Sequence, residues 1–405
     1  MIEIRPVKGH PFCCRAVGVE LRTEQKVQTQ STLGSSETVK EYKICGDPMV
    51  YSPPMGLFHQ ELLALDIPVI LPLPRDMPPS SYFDNWGATT THHLFVKFTG
   101  GTSAETEYSF LESFAIPVKL YDTLPLYRQY NEPVEEVQIS SDNQLILQVH
   151  LPVSSLGPRD PFTVDVQVKA NTLHNKRKKN LLVKQITLQM REVLECYDGG
   201  LAPRKENKFI STSVEFDHHL TSEGMKHRFS FEFPHANDAL IFFKKFSQRN
   251  LSPKVVNSAT AQFNRNKNFP KLADGIPLTH VQGFTTIGKL FSLRYEITVK
   301  VKINHGKDID LTIPITVSPY DRDSSQYLLL WIRNECMLAR DRFGKQTVHE
   351  ISHFHSHEDM QRLLNHYCGA PELYYYQKDD WESLGYDPRA FGKQDPGRPL
   401  ATYID

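Results

Sequence analysis

A chain of 405 residues is long enough for two domains, or three, each burying its own core. With 40 % hydrophobic, 11 % aromatic and 23 % charged residues the composition excludes a disordered chain, and 27 prolines with 21 glycines fit a turn-rich, all-β protein. The net charge of −1 hides an asymmetry: residues 162–318 hold 24 Lys/Arg against 14 Asp/Glu, leaving 22 against 33 elsewhere, so one region carries a field that attracts anions.

The strand Phe12–Leu21 turns Val17, Val19 and Leu21 to one face, and a loop follows near Gly34. Residues Ile67–Tyr82 carry five prolines; proline cannot donate to a ladder, so the run reads as an edge strand passing into an extended rim loop. His92–Phe98 and Phe114–Leu120 are two more strands, joined by a polar loop with Gly100 and Gly101. Thr123–Asn131 reads as a connector.

A second domain opens with Gln144–Leu151 and Pro161–Ala170, followed by a polar loop and a strand holding Ile186, Leu188 and Met190. Phe209–Phe216 and Arg228–Phe233 continue it. The clearest alternation sets Leu293, Tyr295, Ile297, Val299, Val301 and Ile303 on one face and Arg294, Glu296, Thr298, Lys300, Lys302 and Asn304 on the other, before a turn at His305-Gly306. Two internal echoes stand in the same order along the chain. Ile116-Pro117 ending at Tyr121-Asp122 is matched by Ile313-Pro314 ending at Tyr320-Asp321, and Val17–Arg22 is matched by Ile186–Arg191. Two tandem β-sandwiches are expected, with boundaries at 1–130 and 131–321. The first copy has only sixteen residues before Val17, against about two strands of lead-in before Ile186, so it is expected to lack its opening strands unless another chain supplies the edge.

Beyond Asp321 the period changes. Tyr327, Leu328, Trp331, Leu338 and Arg342 fall at helical spacing, and a second helix is expected from Ser356, where Asp359 stands at the capping-box position. Residues 322–405 are thus a helical and aromatic extension. No run approaches the roughly 20 apolar residues of a membrane helix, and Met1–Arg5 lacks the apolar core of a secretory signal. The cysteines at 13, 14, 45, 196, 336 and 368 form no disulfide framework, so a cytosolic location with reduced thiols is expected.

Catalytic motifs are absent: no nucleophile elbow, P-loop or dinucleotide fingerprint stands in the chain. His349, His353, His355, His357, His366 and Cys368 are of zinc-binding type, but the frame after His357-Glu358 places Gln361 where a second histidine belongs. No enzyme, metal or cofactor is expected. Lys176, Arg177, Lys178 and Lys179, with Lys244, Lys245, Arg265 and Lys267 from an acid-free stretch, form a candidate anion-binding patch. Nucleic acid is not the expected partner, because aromatic residues for base stacking are sparse there. Leu124, Pro125 and Tyr127 fit L-P-x-Y, a relative of the P-P-x-Y peptide bound by WW domains, or else they are a packed linker.

Pro68–Pro74 with Pro78-Pro79, Ile116-Pro117 ending at Tyr121-Asp122, Lys184–Leu194, and the hairpin Leu293–Val317 together resemble an α-arrestin. Gly9–Cys14, Glu20–Thr23 and Glu195–Gly200 resemble the fungal arrestin-related trafficking adaptors. The resemblance covers about residues 1–321. It implies two arrestin-type immunoglobulin-like sandwiches and a non-catalytic adaptor, peripheral to plasma membrane and endosomes, that recruits a WW-domain HECT ubiquitin ligase to transporters for ubiquitination and endocytosis. Lys176–Lys179 would read acidic cytosolic tails of transporters, with an anionic membrane surface as a further partner, and Leu124–Tyr127 would be the ligase contact. No P-P-x-Y stands in the chain, which weakens the ligase contact. A retromer-like sorting coat subunit, of the same fold but without a ligase contact, is the alternative.

Overall fold

The computed structural model describes residues 1–6, 9–31, 34–69, 71, 73–74, 76–83, 86–116, 118–172, 181–197, 204–234, 283–344, 370–392 and 401–403. The chain opens with β1 (Ile2–Pro6) and a long hairpin of β2 (Phe12–Ser31) and β3 (Gly34–Tyr51). Short strands β4 (Gln60–Leu62), β5 (Ala64–Ile67) and β6 (Ser81–Phe83) precede a second hairpin, β7 (Ala88–Gly100) with β8 (Tyr108–Ala115). One helical turn, α1 (Arg128–Asn131), leads to β9 (Val134–Ile139), β10 (Leu145–Leu151), β11 (Ser155–Leu156) and β12 (Pro161–Ala170). Then come β13 (Leu182–Cys196), β14 (Arg204–His219), β15 (Met225–Glu232), β16 (Thr286–Ile287), β17 (Phe291–Asn304) and β18 (Ile309–Val317). The last elements are α2 (Arg322–Phe343), β19 (Glu372–Tyr374), α3 (Lys378–Ser383) and β20 (Ala401–Tyr403).

Alternation explains the layers. In β17 every second residue from Phe291 to Ile303 is buried, and in β10 the pattern alternates from Leu145 to Leu151, so each strand offers one apolar face to the opposite sheet. In the first sandwich the large sheet runs β3-β2-β7-β6, with β8 on β7 and β4 on β2; in the second it runs β11-β18-β17-β13-β14. The order β3-β2-β7-β8 is therefore repeated as β14-β13-β17-β18. The echo of Val17–Arg22 with Ile186–Arg191 falls on equivalent strands, β2 and β13, whereas the other begins just past the end of β8 in the first copy and inside β18 in the second; the strand expected at Phe114–Leu120 is instead Tyr108–Ala115, and the all-β architecture is as expected.

The small sheets explain the missing lead-in. The second sandwich has β15-β12-β10-β9, all drawn from between Val134 and Glu232, whereas the first has β19-β5-β1-β20, drawn from both ends of the chain. By connectivity β1 stands for β12 and β5 for β15, since each pair is antiparallel and flanks its long hairpin. The place of β10 is then taken by β20, where Arg5 registers with Tyr403. On the other edge β19 pairs with β5, Leu373 opposite Leu65. The expectation of an incomplete first sandwich is corrected: the strand missing from its front is supplied from the far end of the same chain. Glu372–Tyr374 and Ala401–Tyr403, from the stretch expected to be a helical extension, are accordingly strands of this sandwich.

Trp381 on α3 locks this return segment. Its indole is buried against Gly9, whose left-handed φ of +70° and missing side chain leave the space; a Cβ there would lie 2.2 Å from the ring. Tyr386 donates its hydroxyl proton to the Pro6 carbonyl at 3.2 Å, and Arg5 forms a bidentate ion pair with Asp66 across β1 and β5. The core of the first sandwich gathers Ile2, Ile4, Phe12, Val17, Leu65 and Phe98. The proline-rich run leaves β5 as a rim segment, held where the Ser80 N–H meets the Val118 carbonyl at 2.8 Å.

Candidate functional site

Two places join the sandwiches. At the first, β2 continues the alternation of Val17, Val19 and Leu21 with Thr23 and Gln25, both fully buried, before Val27. Gln25 Oε1 accepts the Leu290 N–H at 3.0 Å and its Nε2 donates to Thr90 at 3.2 Å, so a buried polar side chain is satisfied by both domains. Gly288 makes the approach feasible, because a Cβ there would stand 2.0 Å from the Gln25 amide nitrogen. Phe83 packs edge-on against Phe284 and Phe291 at 5.3 and 6.2 Å. Val27, Phe83, Trp86 and Ala88 thereby belong to the core of the second sandwich.

Beside them lies Glu192, buried on β13. It accepts from Asn207 at 2.8 Å and from the Tyr295 hydroxyl at 3.2 Å, with the Trp86 indole close by. Burial raises its carboxyl above the usual range, and the hydrogen bonds only partly oppose this. The arrangement holds two domains in one orientation.

The second junction is the linker. Tyr121 and Tyr320, which stand at matching positions in the two copies of one echo, stack on one another at 5.6 Å with an interplanar angle of 28°. Trp331 of α2 meets Tyr121 edge-on at 6.0 Å, and Leu124, Tyr320 and Leu328 form a small buried core with Tyr127 packed at its side. The Tyr127 N–H donates to the Leu124 carbonyl at 3.1 Å, so Leu124–Tyr127 is a turn. Leu124 and Pro125 are buried and Tyr127 is half-buried. Entry into a WW groove requires the extended conformation, which this packing does not present. Asp160 accepts the N–H groups of Gly157 and Arg322 at 2.8 and 3.0 Å, fixing the start of α2.

Lys176, Arg177, Lys178 and Lys179 lie outside the described residues, as do Lys244, Lys245, Arg265 and Lys267. The histidines at 349–366 and Cys368 lie outside them too. On the second large sheet the described arginines are paired with carboxylates: Arg191 with Glu206 and Glu296, Arg204 with Glu206, and Arg294 with Glu195. Among the described residues no group of histidine, cysteine and carboxylate side chains is gathered as a metal site, and no helix is long and apolar enough to cross a membrane.

No model of a known protein family matches the chain. It is similar to the RHO1 GEF localizing protein 1 of Saccharomyces cerevisiae, with 24 % identity over 291 residues, or 64 % of this chain. The chain spans 57 % of the length of that relative.

Gln25, Trp86 and Glu192 were missed as junction residues. The available signal was polar character in an apolar phase: Thr23 and Gln25 occupy inward positions of β2, and a buried polar pair there calls for partners from elsewhere.

Proposed function

We propose that the chain is a non-catalytic adaptor that places a partner protein at a membrane-associated site, with a guanine nucleotide exchange factor of a Rho-type GTPase as the partner. The observation that carries this is the joined pair of sandwiches, two β frames held in fixed orientation by Gln25 and the Phe83 cluster, a rigid body suited to bridging two partners. The similarity to a protein named for localizing a Rho1 exchange factor supports the choice of partner. The test is capture of the tagged full chain from its own cells under native conditions, together with imaging of the exchange factors after its deletion. Co-purification of an exchange factor that loses its position on deletion supports the reading; unchanged positions of all of them sink it.

A second reading is the α-arrestin one, a ligase adaptor for transporter cargo, favoured by the resemblance of residues 1–321 and by the Leu124–Tyr127 sequence. It has to release Leu124 and Pro125 from their packed core before a WW domain can bind. A WW-domain array probed with the full chain and with Tyr127→Ala separates the two readings. Binding lost in the variant favours the ligase contact, and binding by neither leaves the exchange-factor reading.

A further inference from the structure

Among the described residues β9 pairs with β10 alone, so its other side is an open edge of the small sheet in the second sandwich. The direction of its backbone groups follows from one bond at the end of the ladder, where the Ser140 N–H donates to the Leu145 carbonyl at 3.0 Å. In an antiparallel pair, residues directed at the partner alternate with residues directed away. With Ser140 directed at β10, so are Gln138, Glu136 and Val134. The N–H and C=O groups of Glu135, Val137 and Ile139 therefore point outward along the open edge.

The same three residues carry their side chains on the solvent face, in register with His150, Gln148 and Ile146. Val137 and Ile139 are 55 % and 52 % exposed. Edge strands of soluble proteins are ordinarily blunted by charged side chains, lysine above all, by proline or by a bulge. β9 has no lysine, proline or bulge, and its charge is of one sign, from two adjacent carboxylates, Glu135 and Glu136. Two copies paired through β9 about a two-fold axis would crowd four carboxylates into one short ladder, and like charges across a sheet repel. The charge therefore selects against self-pairing and for a basic partner. On the same face a cleft of about 530 Å³, lined by Glu135, Gln148, His150 and Asp165 and, towards β15, by Lys226, His227 and Arg228, the last paired with Asp165, has room at its Glu135 end for a long side chain crossing the edge.

We propose that β9 is a docking edge for an extended peptide, which adds as a further antiparallel strand. Its two adjacent basic residues face Glu136 and Glu135, and its apolar residues face Val137 and Ile139. Main-chain bonds to Glu135, Val137 and Ile139 give affinity, and the side-chain pattern gives selectivity. The site stands on the geometry of the edge and does not depend on which protein the adaptor carries.

The probe is the capped octapeptide Thr-Val-Thr-Val-Arg-Lys-Val-Thr, titrated into the full chain at low salt and followed by calorimetry. Val137→Pro removes an outward N–H and leaves the ladder to β10 intact, and is expected to weaken binding about tenfold. The double variant Glu135→Lys, Glu136→Lys is expected to lose this peptide and to accept the version with Glu-Glu in place of Arg-Lys. A peptide N-methylated at the residues facing β9 should fail to bind the unaltered chain, an arm that decides the matter even if a variant folds poorly. The proposal is overturned if the unaltered chain ignores the probe, or if the N-methylated peptide binds equally well. It is also overturned if sedimentation shows a dimer that Val137→Pro dissolves, since the edge then belongs to a second copy.

Discussion

Replacing Trp381 by alanine asks whether the returning C-terminal segment is a structural part of the first sandwich. The indole is 1 % exposed. It is surrounded by Tyr376, Tyr386 and Phe391 at 5.8, 4.8 and 5.6 Å, and donates to the Asp387 carbonyl at 3.0 Å. Truncating a buried aromatic of this kind costs about 3–5 kcal/mol. At about 1.4 kcal/mol per decade this favours opening of the segment by a hundredfold or more. Hydrogen exchange reads the effect by region: amides of β1 and β5, whose outer neighbours are β20 and β19, should exchange about a hundredfold faster. Those of β13 and β17, in the second sandwich, should keep their rates. Gly9→Ala approaches the same contact from the other side, through a φ that alanine rarely adopts and a Cβ 2.2 Å from the ring, and should give the same regional pattern. Wild-type protection of β1 and β5 in both variants would refute the assignment of the segment to this sheet.

Leu124→Ala should destabilise the linker cluster by about 2–5 kcal/mol, read by urea unfolding and by exposure of Trp331 to a fluorescence quencher. An effect under about 0.5 kcal/mol would mean that the turn is not packed as described. Gln25→Ala leaves the Leu290 N–H without its acceptor, a loss of about 1–3 kcal/mol, and should separate the unfolding of the two sandwiches into two calorimetric transitions; a single unchanged transition speaks against the junction. Glu192 has a pH signature. Its folded pKa lies above the usual 4.5, so the folded state binds the proton more tightly than the unfolded chain. Its contribution is most favourable below 4.5, declines as pH rises from there to the folded value, and is constant above that. Glu192→Gln should remove this decline from the stability–pH curve, and an unaltered slope would show that the carboxyl is not held as described.

The strands that pack on both sides were the most legible. β17 announces itself by seven inward apolar residues in strict alternation, and the equivalence of β2 with β13 was visible as repeated sequence. β9 was not visible, because its apolar residues at 134, 137 and 139 break the period of two; as an exposed edge it has no buried face to enforce one. β19 and β20 were missed because strands of three residues carry too few positions for any period, and their partners are more than 300 residues away. The L-P-x-Y motif shows the opposite limit: its spacing could be read, but the packing of Leu124 depends on Tyr320 and Leu328, which local sequence does not reveal.

The pairing of β1 with β20 also sets an order of assembly during synthesis. The second sandwich, from β9 to β18, is contiguous and can close as soon as its last strand leaves the ribosome. The first cannot, since β1 is made at the outset and its flanking strands lie at Glu372–Tyr374 and Ala401–Tyr403. At about 5–20 residues per second, β1 and β5 wait for tens of seconds with both sides of their sheet unpaired. The older half of the polypeptide is thus the last to be finished, and nascent chains arrested before residue 372 should be the ones that chaperones retain.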